Sequence, residues 1–216
     1  MTALEVALFV AGLLLAYLVG SIPFGLIVGK LFYHVDVREH GSGNVGTTNV
    51  FRVLGKKAGV VVLVCDMLKG FVPAFVAAHI LHLNPWVTIF IAAAPVVGHM
   101  YSVFLKGRGG KGVATGAAVV LALVPLAFGI ILVVWIVLIL TTRYVSLASL
   151  AATFLVPVLV IALRYPLPWE IAAVLVTVVI FWAHRGNIRR LVRGKENRVK
   201  LPWSHDPSAL AGRGQS

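Results

Sequence analysis

The sequence predicts an all-α integral membrane protein of seven transmembrane helices, with its N-terminus outside, its C-terminus cytoplasmic and its active site at the cytoplasmic face. Three observations carry that expectation. First, 60% of the 216 residues are hydrophobic and 12% are charged, whereas a soluble domain is about half apolar and about a quarter charged. Second, the apolar residues run in long stretches suited to a hydrocarbon core of about 30 Å. Third, all but Lys69 and Arg164 of the 19 Lys and Arg residues fall where one alternation of spans puts them on a single side, and that side is cytoplasmic by the positive-inside rule. The net charge of +12 is therefore a topology signal rather than a nucleic-acid footprint. No nucleic-acid partner is expected.

The elements follow in order. Span one is expected from about Leu4 to Val28, too long and without the basic start of a cleavable leader. Gly20, Ser21, Pro23, Gly25 and Gly29 loosen its inner half, and small residues there allow close helix packing. Ser21 could also face a site. Span two runs from about Gly59 to His82 and carries Asp66 and Lys69 on one helical face. Ionisable groups at membrane depth are expensive, so the two either neutralise each other as scaffold or serve a function. The single Cys65 has no disulfide partner and is expected as an apolar filler. Span three runs from about Trp86 to Phe104, with His99 and Tyr101 near its inner end. The segment Gly112 to Leu140 is expected to split at Pro125 into two short crossings, because an odd number would carry the basic tail outside. Spans near Val145–Leu163 and Trp169–Ala183 complete the seven. Residues 1–200 then form one membrane domain, and residues 201–216 an unstructured tail.

Two polar stretches interrupt this apolar chain. Gly41-Ser42-Gly43-Asn44-Val45-Gly46-Thr47-Thr48-Asn49-Val50-Phe51-Arg52 is one, and Lys106-Gly107-Arg108-Gly109-Gly110-Lys111-Gly112 is the other. Glycines let backbone N–H groups approach an anion. Hydroxyls, amides and cations donate to phosphate oxygens, and both stretches open into helices whose N-termini favour anions. A phosphate-binding site at the membrane surface is expected. A third polar run, His184-Arg185-Gly186-Asn187, can present His184 and Asn187 on one helix face.

Several chemistries are excluded. Gly41, Gly43 and Gly46 match a dinucleotide fingerprint formally but lack the preceding strand. Lys111 is followed by glycine and has no glycine five residues before it, so this is not a Walker A loop. No His is followed five positions on by Asp, and neither clustered aspartates, zinc ligands nor a Gly-x-Ser-x-Gly elbow occurs. What remains is a set of cationic and amide donors with no metal and no cofactor. That set suits a substrate whose leaving group is already good, such as an acyl phosphate. The alternative is a transporter of an organic phosphate, which needs a polar path at mid-membrane; only Asp66 and Lys69 offer one.

The two polar stretches, together with Gly20-Ser21-Ile22-Pro23-Phe24-Gly25, Asp66-Met67-Leu68-Lys69-Gly70, Gly98-His99, Arg143-Tyr144-Val145-Ser146-Leu147-Ala148-Ser149, His184-Arg185-Gly186-Asn187 and Glu196, resemble in content and order the bacterial acyl-phosphate glycerol-3-phosphate acyltransferases, the PlsY family. The resemblance covers residues 20 to about 200. It departs at Thr47-Thr48, where the family often has Ala before Thr. It implies seven spans in the bacterial inner membrane and a monomer. The implied reaction moves an acyl chain from acyl phosphate to glycerol 3-phosphate without metal, thioester or cofactor. By the same resemblance, Ser42, Asn44, Gly46, Thr48, Asn49, Arg52 and Lys111 gather around the phosphates, with Gly43 in the same loop. Ser149, His184 and Asn187 hold glycerol 3-phosphate, and His184 or a substrate phosphate oxygen serves as base. Gly109 and Gly110 are expected to offer backbone amides to the oxyanion.

Overall fold

A computed structural model describes residues 2–199, and the expected tail from Leu201 lies outside them. Among the described residues there is no strand. Helix α1 (Ala3–Ser21) opens on a capping box, in which Thr2 Oγ1 accepts from the Glu5 amide and the Glu5 carboxylate accepts from the Thr2 amide. It ends earlier than the sequence suggested. Pro23 has no amide to donate and disfavours a helical residue before it, so the chain breaks at Ile22–Pro23 and restarts as α2 (Phe24–Tyr33). The short α3 (Thr47–Leu54) starts from Gly46 and buries Asn49 and Val50.

Helix α4 (Lys56–Phe75) continues through a π-helical turn at Val76–Ile80. Helix α5 (Pro85–Met100) is capped by Asn84, whose side chain accepts the Trp86 amide. A Cβ at Gly20 would lie 2.2 Å from Pro95 Cα, and one at Gly98 would lie 2.3 Å from the Tyr17 carbonyl. The small residues therefore do set the α1–α5 approach. The expected break comes at Pro125: α6 (Val113–Leu123) stops before it and α7 (Pro125–Thr142) starts on it. Helices α8 (Val145–Ala162) and α9 (Leu167–Ala183) follow, and the chain turns by 62° at His184 into α10 (Arg185–Val192).

Among the described residues, length and hydropathy give five helices able to cross a membrane, or six if α9 and α10 count as one bent span. With 11 residues, α6 rises only about 16 Å, roughly half of a hydrocarbon core. The surface and interior suit lipid. Large apolar side chains such as Leu8, Leu15, Leu68, Val133, Leu175 and Trp182 face outward, while Ser21, Asp66, Thr115, Ser149 and His184 are buried. This is a multi-pass membrane protein with polar groups gathered inside its bundle.

Candidate active site

The first polar loop is built on Asn49. Its Oδ1 accepts the Ser42 amide at 2.8 Å, and its Nδ2 donates to the carbonyls of Val37 at 2.8 Å and His40 at 3.1 Å. The Asn49 side chain is 2% exposed. Gly41 adopts φ +63°, and a Cβ there would meet Asn49 Oδ1 at 2.4 Å, so this position requires glycine. At the loop's root Asp36 binds Arg38 (2.6 Å) and Lys30 (3.2 Å). The Arg38 hydrogen bond holds the Asp36 carboxyl well below the usual carboxylate range. Asn44 Oδ1 accepts the Gly46 amide at 2.8 Å and turns the chain into α3. Thr48 and Arg52, four residues apart on α3, are exposed together on one face. The Ser42 hydroxyl and the Arg52 guanidinium make no hydrogen bond among the described residues.

The second loop packs on the end of α5, and this corrects an expectation. The Gly109 amide donates to the Met100 carbonyl at 3.0 Å and the Gly110 amide to the His99 carbonyl at 2.9 Å. Neither is free for an oxyanion. Their glycines are steric requirements instead: a Cβ at Gly109 would sit 2.0 Å from the His99 carbonyl oxygen, and one at Gly110 would sit 2.1 Å from His99 Nε2. The Gly43 and Gly46 amides are likewise taken, by the His40 carbonyl and by Asn44. Asn49 braces the loop rather than offering a free amide. Backbone close approach was legible in these glycines, but which acceptor each amide meets depends on tertiary packing.

Lys111 leaves this second loop and its ammonium donates to Asn187 Oδ1 on α10. Asn187 Nδ2 in turn donates to Glu196 Oε1 at 2.7 Å, where Ser146 Oγ also donates at 3.0 Å, and Arg190 Nε lies 2.7 Å from Glu196 Oε2. A chain of hydrogen bonds thus joins the second loop, α10, α8 and the segment after α10. Burial pushes the Lys111 ammonium down to about 8, with neighbouring Arg190 and Arg52 adding to the fall against Glu196. Arg52, on the first loop's helix, is thus one of the charges that Lys111 feels. Burial raises the cost of charge on Glu196, but hydrogen bonds from Asn187, Arg190 and Ser146 outweigh it and hold the carboxyl below its ordinary value.

His184 sits at the bend between α9 and α10, 3% exposed. Its Nδ1 lies 2.8 Å from the Ile180 carbonyl. A carbonyl only accepts, so Nδ1 carries the proton and Nε2 keeps its lone pair. Burial, then the Lys111 charge, pushes this imidazole down to about 4. Ser149 lies one turn beyond Ser146 on α8, buried, accepting from Trp135 Nε1 at 3.3 Å.

The structure therefore joins Lys111, Asn187 and His184, with Ser149 one helical turn beyond Ser146 and Arg52 in electrostatic reach. Ser42, Asn44 and Thr48 lie on the first loop and the start of α3. Glu196 is among the residues that carry the family resemblance, which assigns it no role. Its only signal was an acid set among the basic residues that follow α10. Among the described residues no three His, Cys, Asp or Glu side chains group as metal ligands. The arrangement offers cations and a neutral imidazole, suited to holding phosphate and stabilising charge as it develops on oxygen.

A family model described as glycerol-3-phosphate acyltransferase matches residues 10–194. A glycerol-3-phosphate acyltransferase of Geobacillus kaustophilus is 49% identical over 190 residues, covering 88% of this chain and 95% of the relative. One from Aquifex aeolicus is 46% identical over 183 residues, covering 85% and 95%. The crystal structure of PlsY, an integral membrane glycerol 3-phosphate acyltransferase, in its glycerol 3-phosphate form is similar with a TM-score of 0.86 at 44% identity, over 89% of this chain and 96% of that one. Its lysophosphatidic acid form gives 0.83 at 44% identity, over 89% and 95%.

Proposed function

This chain belongs to the glycerol-3-phosphate acyltransferase family, and from that membership and its site we propose that it moves a fatty acyl chain from acyl phosphate to the 1-hydroxyl of sn-glycerol 3-phosphate. The products are lysophosphatidic acid and inorganic phosphate. The forms in which PlsY has been crystallised, with glycerol 3-phosphate and with lysophosphatidic acid, support the acceptor and the product. The observation that carries the reading is the Lys111–Asn187–Glu196 chain beside His184. It holds a half-buried cation at the meeting of the polar loops and α10.

The glycerol oxygen forms a bond to the acyl carbon, and the bond from that carbon to the phosphate oxygen breaks. The phosphate leaves with the electron pair. Lys111 and Arg52 bind the phosphates and stabilise the leaving charge, while Ser42, Asn44 and Thr48 complete the first loop's donor set. With the Gly109 and Gly110 amides engaged elsewhere, Lys111 and the N-terminus of α6 are the donors nearest the acyl oxygen in this scheme. Ser149, His184 and Asn187 orient glycerol 3-phosphate. The hydroxyl proton passes to a phosphate oxygen of that substrate, because an imidazole held near pKa 4 is a weak base. General bases contribute about 10²- to 10⁴-fold. His184→Ala should therefore raise the KM for glycerol 3-phosphate and lower kcat by less than about tenfold; a larger fall in kcat at saturating substrate would return the base role to His184.

The chain works as a monomer in the inner membrane of a bacterium, with seven crossings that include α6 and with the site on the cytoplasmic face. That every group of the site comes from one chain supports the monomer. The direct test is purified protein in lipid mesophase, given palmitoyl phosphate and glycerol 3-phosphate without metal or thioester. Phosphate release only with both substrates, matched by lysophosphatidic acid, is the expected result. Saturable glycerol 3-phosphate binding with no release would favour a transporter.

A further inference from the structure

One buried cluster lies apart from the groups used above. Asp66 on α4 is 2% exposed and Lys69 is 4% exposed. Lys69 Nζ lies 2.7 Å from Asp66 Oδ1 and donates to the Ile22 carbonyl, at the α1–α2 break, at 3.0 Å. The other Asp66 oxygen accepts from Thr47 Oγ1 at 3.4 Å. Thr47 is the first residue of α3, directly after the first glycine loop. His99 Nδ1 on α5 lies 3.7 Å from Asp66 Oδ1. The far edge of the same imidazole abuts Gly110, where a Cβ would fall 2.1 Å from Nε2, and the His99 carbonyl accepts the Gly110 amide. Gly110 immediately precedes Lys111.

One carboxylate thus reaches both polar loops. Through Thr47 it meets the helix that carries Arg52. Through His99 it meets the turn that carries Lys111. The cavity beside the cluster, lined by Ser21, Asp66, Lys69, His99 and Ser102 among others, has a volume of ≈ 10 Å³, room for about one water. A buried ion pair is weak evidence for stability, since well-packed apolar residues of similar volume often do as well. Its worth here is geometric. We propose that Asp66 is a positioning residue for acyl transfer, setting the spacing of the two glycine loops and so of Arg52 and Lys111.

This rests on the acyltransferase reading, and the test separates the two. The double variant Asp66→Leu/Lys69→Met removes the charges as a pair and leaves apolar groups of similar volume. Folding is read from the thermal midpoint and from size-exclusion behaviour, and function from three quantities: kcat, the Kd for glycerol 3-phosphate, and the alkaline limb of kcat/KM. A folded double variant should lose at least tenfold in kcat and in affinity. Its alkaline limb should also shift, because the burial and the Glu196, Arg190 and Arg52 charges that together hold Lys111 near 8 depend on where its loop sits. That limb is a readout that a purely structural role would leave in place. A folded variant with kcat and Kd within twofold of the native protein, and the same limb, overturns the proposal. Where the double variant does not fold, Thr47→Val removes only the hydroxyl that meets Asp66 and is the variant measured. A loss of at least threefold in kcat with a shifted limb is expected, and native values overturn the proposal. Native protein that binds glycerol 3-phosphate but transfers nothing removes the acyltransferase reading alone, and Kd then decides the loop-spacing proposal. Native protein that neither binds nor transfers removes both.

Discussion

Lys111 is the residue on which the proposed chemistry turns, and its environment makes a pH prediction. Burial favours the neutral amine and brings its pKa down to about 8. The proposed phosphate clamp needs the ammonium. The charged form dominates below about 8 and is lost as pH rises through it, so kcat/KM should be full at pH 7 and fall along an alkaline limb centred near 8. An arginine stays charged throughout that range. Lys111→Arg should therefore be slower, because its planar fork cannot reproduce the contact with Asn187, yet it should lose the limb. A limb that persists unchanged in the arginine variant would assign the titration to another group. The donor types at Lys111, Arg52, His184 and Asn187 were legible in the sequence, since charge and amide chemistry belong to the side chain itself. Glu196 was not given a role, because its meaning lies in three partners, Ser146, Asn187 and Arg190, that only the fold assembles.

The two glycine loops show where reading by element succeeds and where it stops. Their location between apolar helices was plain, and so was the need for backbone close approach. The sequence could not say what the backbone approaches. In the second loop the neighbour is the end of α5, not a ligand. The consequence can be measured by comparing two glycines. Gly107 adopts φ +78° but has open space at the Cβ position, whereas Gly109 has the His99 carbonyl oxygen at 2.0 Å. Gly107→Ala should cost only the strain of a left-handed alanine, about 1–2 kcal/mol, with activity within a few-fold of native. Gly109→Ala must move the loop that carries Lys111, and transfer should fall at least tenfold more than in Gly107→Ala. Equal rates in the two variants would contradict the packing role given to Gly109. Asn49 carries the same lesson. Its amide looked like a ligand group by type, and its three loop contacts became visible only once Val37 and His40 were brought back over it.

Across the whole molecule, composition alone identified the class, because lipid demands an apolar exterior and satisfied helical backbones. The break at Pro125 was also legible, from charge parity and from proline's missing donor. The break at Pro23 was passed over in favour of one long apolar run, although the same proline rule applied there. The number of crossings turns on α6, whose 11 residues are fewer than the usual span of about 20. Single cysteines in a Cys65→Ala background test the topology. Cysteine at Asn84 or Arg164 should react with an impermeant maleimide in intact cells. Cysteine at Gly107 or Arg143 should react only after the membrane is opened. Labelling of position 143 from outside would mean that α6 and α7 together cross once.

The most direct measurement is transfer by Lys111→Ala in the two-substrate phosphate-release assay, alongside native protein of equal thermal midpoint. Removal of one charge-stabilising donor typically costs about 10²- to 10³-fold. A loss of at least that size, with the fold retained, is the result expected if this cation holds the leaving phosphate. Turnover within tenfold of native would contradict that role and place the chemistry elsewhere in the protein.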